Sequence, residues 1–215
     1  MLDLAGLNAV TILVFAALLL LSVSATTVAL FKFVQFAMLG LGRGRKAAAA
    51  LAIWDSGHKD KALAAISAVK GVQPRVLRAA LAARLQRPDD PDWAEEIGRQ
   101  VALAELAAMG RWMRVLEAVV QAAPMLGLLG TVVGMIDAFG ALAQSTGGVD
   151  PALLAGGIWT ALSTTAIGLA IALVFYFIAI WLETRIDGER QALEVLLSAA
   201  IHGSAETITS TPRGP

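Results

Sequence analysis

A chain of 215 residues that is 57% hydrophobic and only 16% charged, with a mean hydropathy of +0.70, is too apolar for an ordinary soluble domain, where about 45–50% is usual. Seventeen basic residues balance seventeen acidic ones, so no charge excess points to a nucleic-acid partner. Cysteine is absent, which excludes disulfides, thiolate metal sites and cysteine nucleophiles, and His58 and His202 stand too far apart in the chain to suggest a metal centre.

In chain order, residues 4–31 carry no charge, and a membrane-crossing helix takes roughly 20 apolar residues. We assign 1–32 as a first transmembrane helix. Only Asp3 precedes the apolar run, while Lys32, Arg43, Arg45 and Lys46 follow it. That is the reverse of a signal peptide, so the pattern predicts an uncleaved helix with its N-terminus outside.

Residues 33–114 form a cytoplasmic region rich in alanine, leucine, lysine and arginine, with Leu63, Ile66 and Val69 at helical spacing. Gly71 with Pro74, and the run Arg87–Pro91, are its clearest breaks. Asp92 with Glu95 resembles a capping box. From Trp93 no strong break follows until Pro124, which predicts one helix running to Gly140, roughly 70 Å long.

A second span is assigned to 115–140, uncharged between Glu117 and Asp137, and a third to 153–182, uncharged between Asp150 and Glu183. The outside loop is 141–152. The third span continues as a cytoplasmic helix, 183–203, with Leu193, Val195, Leu196 and Ile201 as an apolar stripe. Residues 204–215 read as a disordered tail. Fourteen basic residues lie between Lys32 and Arg114 and three more follow the third span, while the N-terminus and the 141–152 loop have none. By the positive-inside rule the C-terminus is cytoplasmic. The fold class is an all-α integral membrane protein with three transmembrane helices and long cytoplasmic helical extensions.

In the second span, Gly127, Gly130 and Gly134 share one face, with Thr131 beside them and Pro124 a turn earlier. In the third, Gly156, Thr160, Thr164 and Gly168 recur every four residues, with Thr165 alongside. In lipid, helices gain little by hiding apolar side chains from one another, so small residues that admit close backbone approach drive association. The glycines are therefore read as packing positions. The threonines admit two readings: hydroxyls bonded back to their own helices, or a polar path, since a hydroxyl both donates and accepts. Asp137 is the one acid near the membrane core; an intramembrane carboxylate suggests function, but its place near the outer end of the span also suits a plain interfacial role. Trp159 and Trp181 lie near opposite ends of the third span, as interfacial tryptophans do.

The segments APMLGLLGTVVGMIDAF (123–139) and GGIWTALSTTAIGL (156–169) resemble the paired signature of the MotA/TolQ/ExbB proton-channel family, in its ExbB/TolQ branch. That resemblance implies a homopentamer around the helices of an ExbD- or TolR-like single-span partner, whose aspartate carries the coupling proton. It also implies that Thr131 and Thr165 line the interior, and that work passes to a TonB- or TolA-like protein. Thr160 stands where the family pattern has a glutamate, so the third span has no titratable relay there. The ion pathway is accordingly assigned to Thr131, Thr165, Thr164, Thr160 and Asp137. No cofactor or metal is expected; the proton is the expected coupling ion and sodium the alternative, with hydroxyl and carbonyl oxygens as its ligands. The expected surroundings are membrane lipid and copies of this chain, not nucleic acid. The competing reading from another class is an oligomeric membrane scaffold that conducts nothing. An intramembrane enzyme lacks the serine–histidine or paired-aspartate residues it would need.

Overall fold

The computed structural model describes residues 9–39, 44–144 and 151–203. The expected tail at 204–215 and residues 145–150 of the expected 141–152 loop lie outside the described residues, while 141–144 continue α6 and 151–152 begin α7. Seven helices are described: α1 (Ala9–Leu39), α2 (Gly44–Asp55), α3 (Lys59–Ser67), α4 (Val72–Gln86), α5 (Pro91–Gly110), α6 (Met113–Gln144) and α7 (Pro151–His202). Candidate membrane spans lie at Ala9–Met38, within Pro91–Ala143 and within Leu154–His202. With 52 residues, α7 is roughly 78 Å long, far more than the ~30 Å hydrocarbon core of a bilayer. Only part of it can lie in lipid. Hydropathy falls after Trp181, where Glu183, Arg185 and Asp187 follow.

Contacts divide the chain into two units, one formed by the chain through Phe31 with Trp112–Trp181, the other by Lys32–Arg111 and the chain from Leu182 on. In the first unit, Val14 and Leu18 of α1, Ala123 of α6 and Ala172 of α7 form a small buried cluster, with Leu21, Leu126 and Ile171 against it. Leu19, Leu20, Met125, Leu128, Leu173 and Phe177 point outward and are exposed. So broad an apolar surface needs lipid or another chain to cover it.

The second unit is packed differently. Ala47, Leu51 and Trp54 of α2, Ile66 of α3, Leu77 and Leu81 of α4, and Leu196, Ala199 and Ala200 of α7 make one continuous core. Ala83, Ala94 and Ile201 add a second cluster under Trp93 and Ile97. Of the expected stripe on the end of α7, Leu193, Leu196 and Ile201 are buried, whereas Val195 is 60% exposed. Glu189 of α7 is only 7% exposed and is hydrogen-bonded to the side chain of Gln73; loss of hydration pushes its carboxyl above the usual carboxylate range, partly offset by that bond.

Two local expectations are corrected, and one further break is found. Asp90, not Asp92, caps α5: its Oδ1 accepts from the Trp93 amide at 3.1 Å. Pro91 takes the first helical position, where its missing N–H costs nothing, and this moves the cap one residue earlier. Gly57, at φ 87, ends α2 and separates it from α3, a break not marked by any proline. The predicted helix from Trp93 to Gly140 is two helices, because α5 ends at Gly110 and α6 starts at Met113. Between them Trp112 adopts φ 72, a left-handed conformation that costs a bulky residue about 1–3 kcal/mol and persists only where surrounding structure holds it.

Candidate functional site

The glycine face of α6 lies directly against α7. A Cβ on Gly127 would come within 3.0 Å of the Thr164 carbonyl oxygen and the Thr165 Cα. One on Gly130 would collide with the Thr164 hydroxyl, and one on Gly134 would lie 2.8 Å from the Ala161 Cβ. From the other side, a Cβ on Gly168 would meet the Ala123 carbonyl oxygen at 2.5 Å and the Gly127 Cα at 3.2 Å. At Gly127 and Gly168 backbone approaches backbone, and at Gly130 and Gly134 the α6 backbone lies against the side chains of Thr164 and Ala161; a methyl group would block each approach, which is the physical reason for glycine here. Gly156 stands apart: nothing lies within 4 Å of a Cβ there, whereas a Cβ on the neighbouring Gly157 would come within 2.7 Å of the Ala138 Cβ. Pro124 is inside α6 and does not end it.

The threonines divide by partner. Thr165 donates its hydroxyl across the helix pair to the Gly127 carbonyl at 2.8 Å. Thr164, 0% exposed, donates to the Ala161 carbonyl of its own helix at 2.6 Å and lies 3.3 Å from the same Gly127 carbonyl. Both therefore converge on one backbone oxygen, next to the glycine that lets the helices meet. Thr131 and Thr160 bond back to their own helices, to the Leu128 carbonyl at 2.7 Å and the Gly156 carbonyl at 3.0 Å. Both remain partly exposed. Asp137 is half-buried, one position before the Ala138 that packs on Gly157, and no described residue hydrogen-bonds or pairs with its carboxylate.

Chemically, each of these four hydroxyls spends its single proton on a carbonyl. On the three that are partly exposed, Thr131, Thr160 and Thr165, what is left is an oxygen with free lone pairs, able to accept from water, from a protonated carboxyl, or to face a small cation. Among the described residues, no group of three or more histidine, aspartate or glutamate side chains could hold a metal ion.

Gly157 and Ala161 are packing positions that the four-residue spacing of the third span did not single out. The signal for Gly157 was present in the doubled glycine of GGIWTAL, but periodicity alone cannot say which of two adjacent glycines faces the neighbour.

Comparison with known proteins places these segments. Residues 68–195, well over half of the chain, match the MotA/TolQ/ExbB proton channel family. The chain is 37% identical over 102 residues to a biopolymer transport protein ExbB homologue of Methanothermobacter thermautotrophicus, covering 47% of this chain and 36% of that protein. It is 47% identical over 60 residues to biopolymer transport protein exbB1 of Vibrio cholerae, covering 28% of this chain and 26% of that one. A biopolymer transport protein ExbB-like 1 of Synechocystis is 44% identical over 71 residues, 32% of this chain and 28% of that protein. The matched stretches thus span about a third or less of these curated relatives. The extent of the family match, the ExbB relatives and the glycine–threonine helix pair that the signature segments form lead to one conclusion: this membrane protein belongs to the MotA/TolQ/ExbB proton channel family, in its ExbB/TolQ branch.

Proposed function

We propose that this chain is the ring-forming subunit of an ion-driven motor in the inner (cytoplasmic) membrane. In this reading five copies surround the single-span helices of an ExbD- or TolR-like partner and conduct protons with it, and the work reaches a TonB- or TolA-like protein. The N-terminus is periplasmic and the C-terminus cytoplasmic, as the distribution of basic residues supports. The observation that carries the proposal is the meeting of the two signature segments, with Thr165 bonded to the Gly127 carbonyl and Thr131 on the same helix as that glycine.

The chemistry follows from the hydroxyls. A partner aspartate entering a bilayer-embedded cavity is costly when ionised and far less so when protonated. Thr131 and Thr160, with their protons turned to carbonyls, offer acceptor oxygens that suit the protonated acid. Rotation of a hydroxyl makes it a donor to the carboxylate, so a threonine can follow the partner through both states without a charge of its own. Thr160 occupies the place of the family glutamate, so proton exchange falls to the partner aspartate, with Asp137 as the acid of the second span near the outer end of the path. The proton is the coupling ion in this reading; sodium coordinated by hydroxyl and carbonyl oxygens is the alternative.

The test is to co-express the chain with an aspartate-bearing single-span partner and weigh the complex by native mass spectrometry. Ion flux is then measured in vesicles for Thr131→Val and Thr165→Val. A ring that encloses the partner, with flux abolished in the valine variants and assembly intact, is the expected result. Undiminished flux in both variants overturns the assigned roles, and a ring that admits no partner supports the non-conducting scaffold.

A further inference from the structure

Lys32 is 0% exposed, although a lysine is almost never fully buried unless paired. Its partners are unusual. The ammonium donates to the Met109 carbonyl at 2.5 Å and to Gln35 Oε1 at 3.0 Å, lies 5.9 Å from the centre of the Phe36 ring, and makes no ion pair with a carboxylate among the described residues. One turn along α1, Gln35 Nε2 donates to the Ala108 carbonyl at 3.4 Å.

These two carbonyls are the ones that an uninterrupted helix would use next. With hydrogen bonds from residue i+4 back to residue i, the Ala108 carbonyl would accept from the Trp112 amide and the Met109 carbonyl from the Met113 amide. Regular bonding stops just before them: the Arg111 amide still reaches the Ala107 carbonyl. Among the described residues no carbonyl accepts from the amides of Trp112 and Met113. Two side chains of α1 have replaced two backbone donors. The last carbonyls of a helix carry partial negative charge, so a cation is favoured at that place, and this stands in for the missing carboxylate.

We infer that Lys32 and Gln35 form a clasp that holds the α5–α6 joint open, and that the joint is a two-state element in which the carbonyls of Ala108 and Met109 bond either to α1 or to the amides of Trp112 and Met113. The two sets of bonds are mutually exclusive. In the clasped state Trp112 is at φ 72 and 52% exposed; in the released state it returns to helical φ and α5 runs into α6. A displacement of α1 along α5 is thereby converted into making or breaking the long helix. This goes beyond the ion-motor reading and does not depend on it.

Hydrogen exchange on the full chain in nanodiscs tests the inference at single-residue resolution over 105–118. In the wild type the Trp112 and Met113 amides exchange fast. In Lys32→Met with Gln35→Leu they gain carbonyl partners and slow about tenfold or more, as amides drawn into a stable helix do. Lys32→Arg, which still donates to carbonyls, restores fast exchange. Gln35→Leu alone is a milder variant for the case in which loss of Lys32 impairs folding, and it slows the Trp112 amide selectively. Unchanged exchange at both amides in Gln35→Leu and in a folded Lys32→Met variant overturns the inference, since the break is then intrinsic to Gly110–Trp112. Faster exchange through Leu106–Gly110 also overturns it, because the end of α5 then frays instead of joining α6.

Discussion

The two halves of α7 are one unbroken helix that packs by opposite rules. From Gly157 to Gly168 it meets α6 through glycines, alanine and threonine, with backbones in contact and the large side chains, such as Leu162, Leu169 and Leu173, turned outward. From Leu193 to Ile201 it buries leucine, isoleucine and alanine in a core of side chains from α2, α4 and α5. The difference reflects solvent. Where water surrounds a helix, removing apolar side chains from it contributes about 25 cal/mol for each Å². Where lipid surrounds it, that gain is absent, and what is left is close contact and hydrogen bonds.

Exchanging the two kinds of substitution puts this division at risk. Leu81→Ala empties a fully buried site in the α2–α4 core and is expected to cost about 2–5 kcal/mol, read by thermal unfolding of the protein in nanodiscs. The same change at Leu173, on the exposed face of α7, is expected to leave stability almost untouched; an equal loss there would refute the division. Gly168→Ala reverses the test. It adds a single methyl, yet the group it meets is the Ala123 carbonyl at 2.5 Å, which cannot swing aside as a side chain can. The expected penalty is about 1–3 kcal/mol. Gly156→Ala, in open space, serves as the control and is expected to be neutral or slightly stabilising.

Single hydrogen bonds give smaller effects in both solvents. On the water-facing side, Asp90→Ala removes the cap of α5 and is expected to cost about 1 kcal/mol, with the loss visible as fraying at Trp93 in hydrogen exchange. On the lipid-facing side, Thr165→Val removes the hydroxyl donated across to Gly127, worth about 0.6 kcal/mol on average for such bonds in membrane helix pairs.

The smallest expected effect is in pH dependence. Burial raises the Glu189 carboxyl above its value in the unfolded chain, so the folded state holds this proton more tightly. Its contribution to stability is complete below the unfolded carboxylate value and is lost as pH rises through the folded one. Glu189→Gln is therefore expected to raise Tm at pH 7, leave it unchanged at pH 4 and flatten the profile between them. A Tm lowered equally at both pH values would mean that the residue matters for packing rather than for its charge.

Where the physics is local, much of this is legible from the residues. Hydropathy marks all three apolar spans. The glycines at 127, 130, 134 and 168 stand out because a poor helix former repeated on one face of an apolar helix is a net cost unless another backbone packs against it. Where adjacent residues compete, spacing fails. Gly157 rather than Gly156 faces α6, and Asp90 rather than Asp92 caps α5. Each outcome turns on a rotation of one or two residues, about 100° for each residue of a helix, which only the neighbouring element can select.

Membrane character, helical class and the paired signature segments are all written in the order of the residues, because composition and period act through the solvent and the helix alone. The place where the long helix breaks is set by tertiary packing. Gly110 is a weak stop signal, tolerated within many helices, and nothing near it accounts for a tryptophan at φ 72. The partners that claim the freed carbonyls, Lys32 and Gln35, lie 77 and 73 residues away in the chain. A hydrogen bond recognises proximity in space, so no reading of the local sequence could have placed that break.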